Sequence, residues 1–245
     1  MMPRGLIIVP AYNEEAAIGP VLEELCQYWP RQDIVVINNG SQDQTSRVVA
    51  QCGIREILLP TNLGYGATLR TGILFAEQHA YAYVVAFDAD GQHDPKCLAE
   101  LVRTLIDEKL HLVIGSRSSQ GHRDTPITRR VGMKFFIHLT RLLTRQKFTD
   151  TTSGFKVIDS AIYCELKRVH FVDFHAEFLI YLLLKRYKVG QVPVVMRQRT
   201  SGTSLYNWSS SFSYPAKTIL GTVIGIADIL VDKIRAAHER HSECL

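Results

Sequence analysis

Short apolar runs that end abruptly in polar residues, each followed by a stretch of helical periodicity, restrict this chain more than any other feature. The runs occupy residues 5–9, 33–38, 54–59 and 83–87, with a fifth expected at 111–114. Successive side chains of a strand point to opposite faces, so a continuous apolar run is what a strand covered on both faces requires. Residues 14–28 place Ile18, Val21, Leu22 and Leu25 on one helical face, and helices are expected again at 45–52 and 67–79. Strand and helix in alternation predict an α/β fold with a parallel sheet. After residue 116 the alternation stops, and one further strand is expected at 193–196.

A chain of 245 residues accommodates one sizeable domain, expected over 1–208, with a C-terminal amphipathic extension over 209–245. The formal charge of +4 is compatible with phosphate-bearing partners without requiring them, and nothing in it calls for nucleic acid. Cys26, Cys52, Cys97, Cys164 and Cys244 are scattered without C-x-x-C spacing, which reads as reduced thiols in the cytosol and no metal framework. The chain enters a strand almost at once, leaving no room for a signal peptide, and no apolar run approaches the ~20 residues that span a bilayer. Any action on membranes is therefore expected from the surface.

Two segments bear on that surface. Between Arg117 and Lys147 eight Lys and Arg stand against the single acid Asp124. Within it Val131, Phe135, Leu139, Leu142 and Leu143 form a helical apolar stripe beside Arg129, Arg130, Lys134, Arg141 and Arg145. Such a helix either lies in a membrane interface or packs on the core with a solvated basic side, and pattern alone favours the core. Further on, Tyr206, Trp208, Phe212 and Tyr214 are rings of the kind favoured at membrane interfaces, and residues 219–234 read as an amphipathic helix.

Ligands of parallel α/β sheets bind beyond the carboxyl ends of the strands. Polar clusters sit at three such ends: Tyr12-Asn13-Glu14, Asn38-Asn39-Gly40-Ser41 and Asp88-Ala89-Asp90. Carboxylates one residue apart at a strand mouth suit a divalent ion that keeps waters and shares its coordination with a diphosphate. The purely structural alternatives are a solvated turn after the fourth strand, and a helix start with Asn13 as N-cap and Glu14-Glu15 favoured by the dipole.

Val9-Pro10-Ala11-Tyr12-Asn13-Glu14-Glu15, Asp88-Ala89-Asp90-Gly91-Gln92, Asp150-Thr151-Thr152-Ser153-Gly154-Phe155-Lys156 and Arg199-Thr200-Ser201-Gly202-Thr203-Ser204 occur in this order. Together they resemble family 2 glycosyltransferases, in particular the polyprenyl-phosphate branch of the dolichyl-phosphate mannose synthase type, from about residue 5 to about residue 215. The resemblance implies a GT-A fold and an inverting transfer from a UDP- or GDP-sugar to a polyprenyl phosphate. By the same resemblance, Pro10, Ala11, Tyr12 and Glu14 would hold base and ribose, with Asn38, Asn39 and Asp88 completing the nucleotide-sugar site. Asn38-Asn39 departs from the family's usual Asp-Asp, although a carboxamide oxygen still accepts a hydrogen bond.

Asp88, Asp90 and Gln92 would hold Mg²⁺ or Mn²⁺, with Asp90, Asp150 and Arg117 carrying the chemistry. His93 is set aside, since a histidine at a strand end is more often structural. Arg117 in Gly115-Ser116-Arg117, with Arg129 or Arg130 and Arg199, would bind the acceptor phosphate through planar guanidinium forks. Gly202-Thr203-Ser204 would form a loop over the donor. A phosphate acceptor, with its second pKa near ~6, is already a nucleophile, so Asp150 would position a basic group or loop rather than remove a proton. Membrane contact would be peripheral or through a separate small membrane protein.

Two rivals stand beside this reading. One is a transferase that extends a glycan or lipid-linked saccharide with Asp150 or Glu177 as base. The other is a non-catalytic membrane-surface module, at which Asn38-Asn39 would hint. Sugar, nucleotide, lipid length and self-association into a homo-oligomer are not legible.

Overall fold

The structure, a computed structural model, describes residues 3–117, 127–167, 174–197 and 208–242, and within the helices that open at 127 and 208 the side chains of 131–144 and 216–235. Strands β1 (Gly5–Ala11), β2 (Ile34–Asn38), β3 (Arg55–Leu58), β4 (Tyr83–Ala86) and β5 (Leu112–Arg117) fall on the five apolar runs. Between them run α1 (Ile18–Leu25), α2 (Thr45–Gln51), α3 (Tyr65–Gln78) and α4 (Leu98–Asp107). The remainder comprises α5 (Ile127–Thr144), β6 (Lys156–Asp159), α6 (Tyr163–Leu166), α7 (Ala176–Leu184), β7 (Val189–Val194) and α8 (Trp208–Ser242).

The strands form one seven-stranded sheet in the order β3-β2-β1-β4-β6-β5-β7. All pairings are parallel except those of β6, which runs antiparallel between β4 and β5. Alternation along β1 divides the core. Leu6 and Ile8 face Leu69 and Ile73 of α3 and Leu179 and Leu182 of α7. Ile7 and Val9 face Ile18 and Leu22 of α1 and Leu101 and Leu105 of α4. All four β1 side chains are fully buried, each contributing about 1.5–3 kcal/mol of transfer free energy.

Several expectations need correction. The helix expected at 14–28 is confined to Ile18–Leu25, and its N-cap is Ala17 with no side-chain bond, not Asn13. Asn13 instead adopts φ +54° and is committed to the loop after β2: its amide donates to Ser41 Oγ and its Oδ1 accepts from the Gln42 amide. The last strand spans Val189–Val194 rather than 193–196, and β6 was not anticipated. Helix α5 does pack on the core, through Met133, Phe136 and Thr140, but Val131, Phe135 and Leu142 of the expected core stripe are exposed.

Behind the sheet, Glu165 of α6 ties the last elements together. Its carboxylate accepts from Tyr181 Oη (2.6 Å), Lys185 Nζ (2.8 Å) and Tyr187 Oη (2.9 Å), and Lys185 also reaches Asp232 of α8 at 3.6 Å. Burial alone would raise the Glu165 pKa, but these three donors outweigh it and hold the carboxyl below its ordinary value. A depressed carboxyl pKa stabilises the fold above the ordinary range and ceases to do so as pH falls through the folded value. Glu165→Gln should therefore cost about 3 kcal/mol in urea unfolding at neutral pH. The gap to wild type should narrow as the titration is taken below about pH 4.

Candidate active site

The parallel strands deliver their polar ends to one edge, where Ala11 pairs with Asn38 and Ile8 with Ala86 just before the Asp88-Ala89-Asp90 turn. Asp90 Oδ1 accepts from the Gln92 amide at 3.0 Å, and Gly91 at φ +78° closes the turn. Asp88 donates its amide to His93 Nδ1 at 3.0 Å, while His93 Nε2 lies 3.3 Å from Asp88 Oδ2. Burial drives the His93 pKa down to about 3, so the ring is neutral. Gly154 closes on the same carboxylate, where a Cβ would stand 2.7 Å from Asp88 Oδ2. Beyond His93 the chain is pinned from outside: Met196 bridges it, the Arg197 amide donates to Gln92 O, and the Arg197 guanidinium pairs with Glu24 and Asp94.

Beside this turn Arg117 is paired with Asp150. Asp150 is fully buried and its Oδ2 accepts from Arg117 Nε at 2.8 Å. Its Oδ1 accepts from the Thr152 amide at 2.9 Å and Thr152 Oγ1 at 3.1 Å. Burial favours the neutral acid, but Arg117 and then Thr152 prevail and hold the Asp150 pKa below its ordinary value. Asp150 is thus an ionised buttress for a guanidinium that is itself mostly covered.

Lys156, the last residue of the Asp150–Lys156 motif, also reaches this site. It is buried in β6, donates to Phe174 O at 2.8 Å and approaches His175 Nδ1 at 3.4 Å. Burial pushes its ammonium down to about 8, against the opposing pull of Glu177, Asp88 and Asp150. Glu177, in the first turn of α7, is also buried, and its Oε1 accepts from the His175 amide. Apart from its place in that motif, the sequence signal for Lys156 was a charge within an apolar stretch, Phe155-Lys156-Val157-Ile158.

Lys156 thus feels Glu177, Asp88, Asp150 and Arg117, and His93 feels Asp90, Arg117 and Lys156, so acids and bases act on one another across this edge. No group of three or more His, Cys, Asp or Glu forms a closed metal cage among the described residues. Two carboxylates and the Gln92 amide oxygen fit a hard ion that completes its shell with diphosphate and water.

Pro10, Tyr12 and Glu14 line the same edge half-buried, with Ala11 covered. Asn38 and Asn39 are buried and serve the chain itself. Asn38 donates to Ser46 Oγ and Glu56 Oε1 and accepts from the Ser41 amide; Asn39 donates to Asn62 Oδ1 and accepts from the Leu63 amide. The Glu56 contact, 2.8 Å long, supplies a physical reason for Asn at 38, since a carboxylate there would face another. The side chains of Arg129 and Arg130, together with Arg199 and residues 202–204, lie outside the described residues. Asn38→Asp should lower stability by about 3 kcal/mol in denaturant titrations. Adding Glu56→Gln should recover at least about half of that, a coupling that a double-mutant cycle reads directly.

The sequence matches the family described as Glycosyl transferase family 2 over residues 6–166. It is 27% identical over 210 residues to the UDP-N-acetylglucosamine–dolichyl-phosphate N-acetylglucosaminyltransferase of Methanococcus voltae, spanning 77% of this chain and 83% of that relative. Identity to the polyprenol monophosphomannose synthase of Mycolicibacterium smegmatis is 25% over 228 residues, spanning 84% and 82%. Glucosyl-3-phosphoglycerate synthase from Mycobacterium tuberculosis superposes with a TM-score of 0.70 at 18% identity, over 90% of this chain and 80% of that one, a likeness of fold of the GT-A kind. With the family pattern covering more than half of the chain and the strands β1 to β6 of the sheet, the chain belongs to glycosyltransferase family 2.

Proposed function

We propose that the protein transfers a sugar from a UDP- or GDP-sugar to a polyprenyl phosphate, with inversion at the anomeric carbon and with the help of Mg²⁺ or Mn²⁺. The observation that carries this reading is the Arg117–Asp150 pair, a guanidinium held by a fully buried carboxylate beside the Asp88–Asp90 turn. One edge therefore offers a phosphate-binding cation next to a cation-binding pair of acids. Of the relatives named above, one is by name a dolichyl-phosphate N-acetylglucosaminyltransferase and the other a polyprenol monophosphomannose synthase, and the structural neighbour has been crystallised with Mn²⁺ and UDP.

Asp88, Asp90 and Gln92 would hold the ion, which supplies charge neutralisation for the departing nucleoside diphosphate. Arg117 binds and orients the acceptor phosphate, and Arg129, Arg130 and Arg199 are proposed to assist it. An oxygen of that phosphate bonds to the anomeric carbon as the bond to the diphosphate breaks, the electron pair leaving with the nucleoside diphosphate. The phosphate is already ionised near neutral pH, so no side chain need take a proton. Asp150, with its lowered pKa, is suited to hold Arg117 and poorly suited to act as a base.

The outer surface supports a lipid acceptor. Among its described side chains, helix α8 buries Thr218, Thr222 and Ile229 and exposes Ile219, Leu220, Val223, Leu230, Val231 and Ile234 alongside Lys217, Lys233 and Arg235, an aliphatic outer face edged by basic groups. The neighbouring α5, which touches α8, adds exposed Val131, Phe135 and Leu142. No described helix is long and apolar enough to cross a membrane. We therefore assign residues 1–208 to the chemistry and 209–245 to peripheral attachment at the cytoplasmic face.

Labelled UDP- and GDP-sugars offered with a short polyprenyl phosphate and Mn²⁺ should place label in the organic phase, abolished by EDTA and by Asp90→Ala. Metal-dependent hydrolysis of a nucleotide sugar without lipid label would overturn the acceptor assignment. In the same assay Asp150→Asn should raise KM for the polyprenyl phosphate by about tenfold with a smaller change in kcat. A collapse of kcat at unchanged KM would instead make Asp150 a general base.

A further inference from the structure

The turn carrying Asp88 and Asp90 belongs to no helix or strand, yet one side chain meets Asp88 at two points. His93 is 2% exposed, and its Nδ1 accepts from the Asp88 amide at 3.0 Å. A ring nitrogen that accepts carries no proton, so in the neutral ring the proton sits on Nε2. That N–H side lies 3.3 Å from Asp88 Oδ2. The ring has little freedom to move: its face stacks on Phe155 at 4.5 Å with planes 13° apart, and Phe87 meets it edge-on at 5.3 Å. Gly154 bounds the same carboxylate oxygen from another side.

We propose that His93 is a positioning residue for the divalent-ion site, fixing both the backbone and the carboxylate of Asp88 so that the ligand is set before the ion arrives. The inference rests on the divalent-ion reading of Asp88, Asp90 and Gln92. It gives the histidine a role other than ligation. With Nδ1 engaged by the Asp88 amide and Nε2 protonated toward the Asp88 carboxylate, His93 presents no lone pair to a metal. The donor set stays all-oxygen, which suits Mg²⁺ or Mn²⁺ better than Zn²⁺. Partners that orient a ligand in this way typically govern affinity by about 10- to 100-fold.

The test is Mn²⁺ binding to the full chain, read by electron paramagnetic resonance without nucleotide, in wild type, His93→Phe and His93→Asn. Phe preserves the stack on Phe155 and removes both nitrogens; Asn keeps an acceptor near the Nδ1 position. The expected result is an affinity loss of about 10- to 100-fold for His93→Phe, a smaller loss for His93→Asn, and unfolding midpoints close to wild type. Equal Mn²⁺ affinity in all three overturns the role of His93 and leaves the metal reading intact. Failure of wild type to bind Mn²⁺ overturns both. A loss that merely tracks the unfolded fraction also overturns the proposal. Should His93→Phe not fold, His93→Asn decides, since wild-type affinity in that variant removes any role for the Nε2 contact.

Discussion

The antiparallel placement of β6 is the constraint on which the active edge depends. Lys156 pairs with Ala86 on one side and with Ile114 on the other, so β6 is held by ladders to the strand that leads into Asp88 and to the strand that ends in Arg117. An antiparallel strand begins where its parallel neighbours end. The segment before it, Asp150 to Phe155, therefore arrives at the carboxyl edge. That direction sets Gly154 against Asp88, Asp150 against Arg117 and Phe155 under His93. A parallel strand in the same slot would have delivered the segment to the opposite edge.

How far the sequence foretold this differs by element. Strands β1, β2, β4 and β5 were legible because burial on both faces writes a continuous apolar run. By contrast, β6 is four residues long and contains a lysine, and nothing in periodicity encodes that it runs backwards. At Asn13 the local rule for a helix cap was overridden by bonds to Ser41 and Gln42, residues far along the chain. The acids of the Asp88–Asp90 turn could be placed from a strand end alone. His93 and Lys156 could not be given roles, because what distinguishes them is contact with residues brought close only by folding.

Charge in the fold is distributed with similar economy. The resemblance leads one to expect an acid at position 38, where this chain has Asn, yet Glu56 on the adjacent β3 presents a carboxylate oxygen to the Asn38 amide. A negative group is thus retained in the neighbourhood, one strand outward, and repulsion between two acids is avoided. Lys156 shows the converse. A buried ammonium is costly to desolvate, and it is tolerated here because Glu177, Asp88 and Asp150 lie around it.

The exposed aliphatic face of α8 bears on the kinetics of the proposed reaction. At 35 residues the helix is a rod about 50 Å long that packs on α7, and among its described side chains Ile219, Leu220, Val223, Leu230, Val231 and Ile234 are exposed. Laid on a bilayer, such a rod would fix the tilt of the sheet and confine the enzyme to the plane in which a lipid acceptor diffuses. The search for the proposed acceptor would then be two-dimensional, governed by molecules per unit area rather than per unit volume. Only the water-soluble nucleotide sugar would still be met by three-dimensional diffusion, so the two substrates would respond to different measures of concentration.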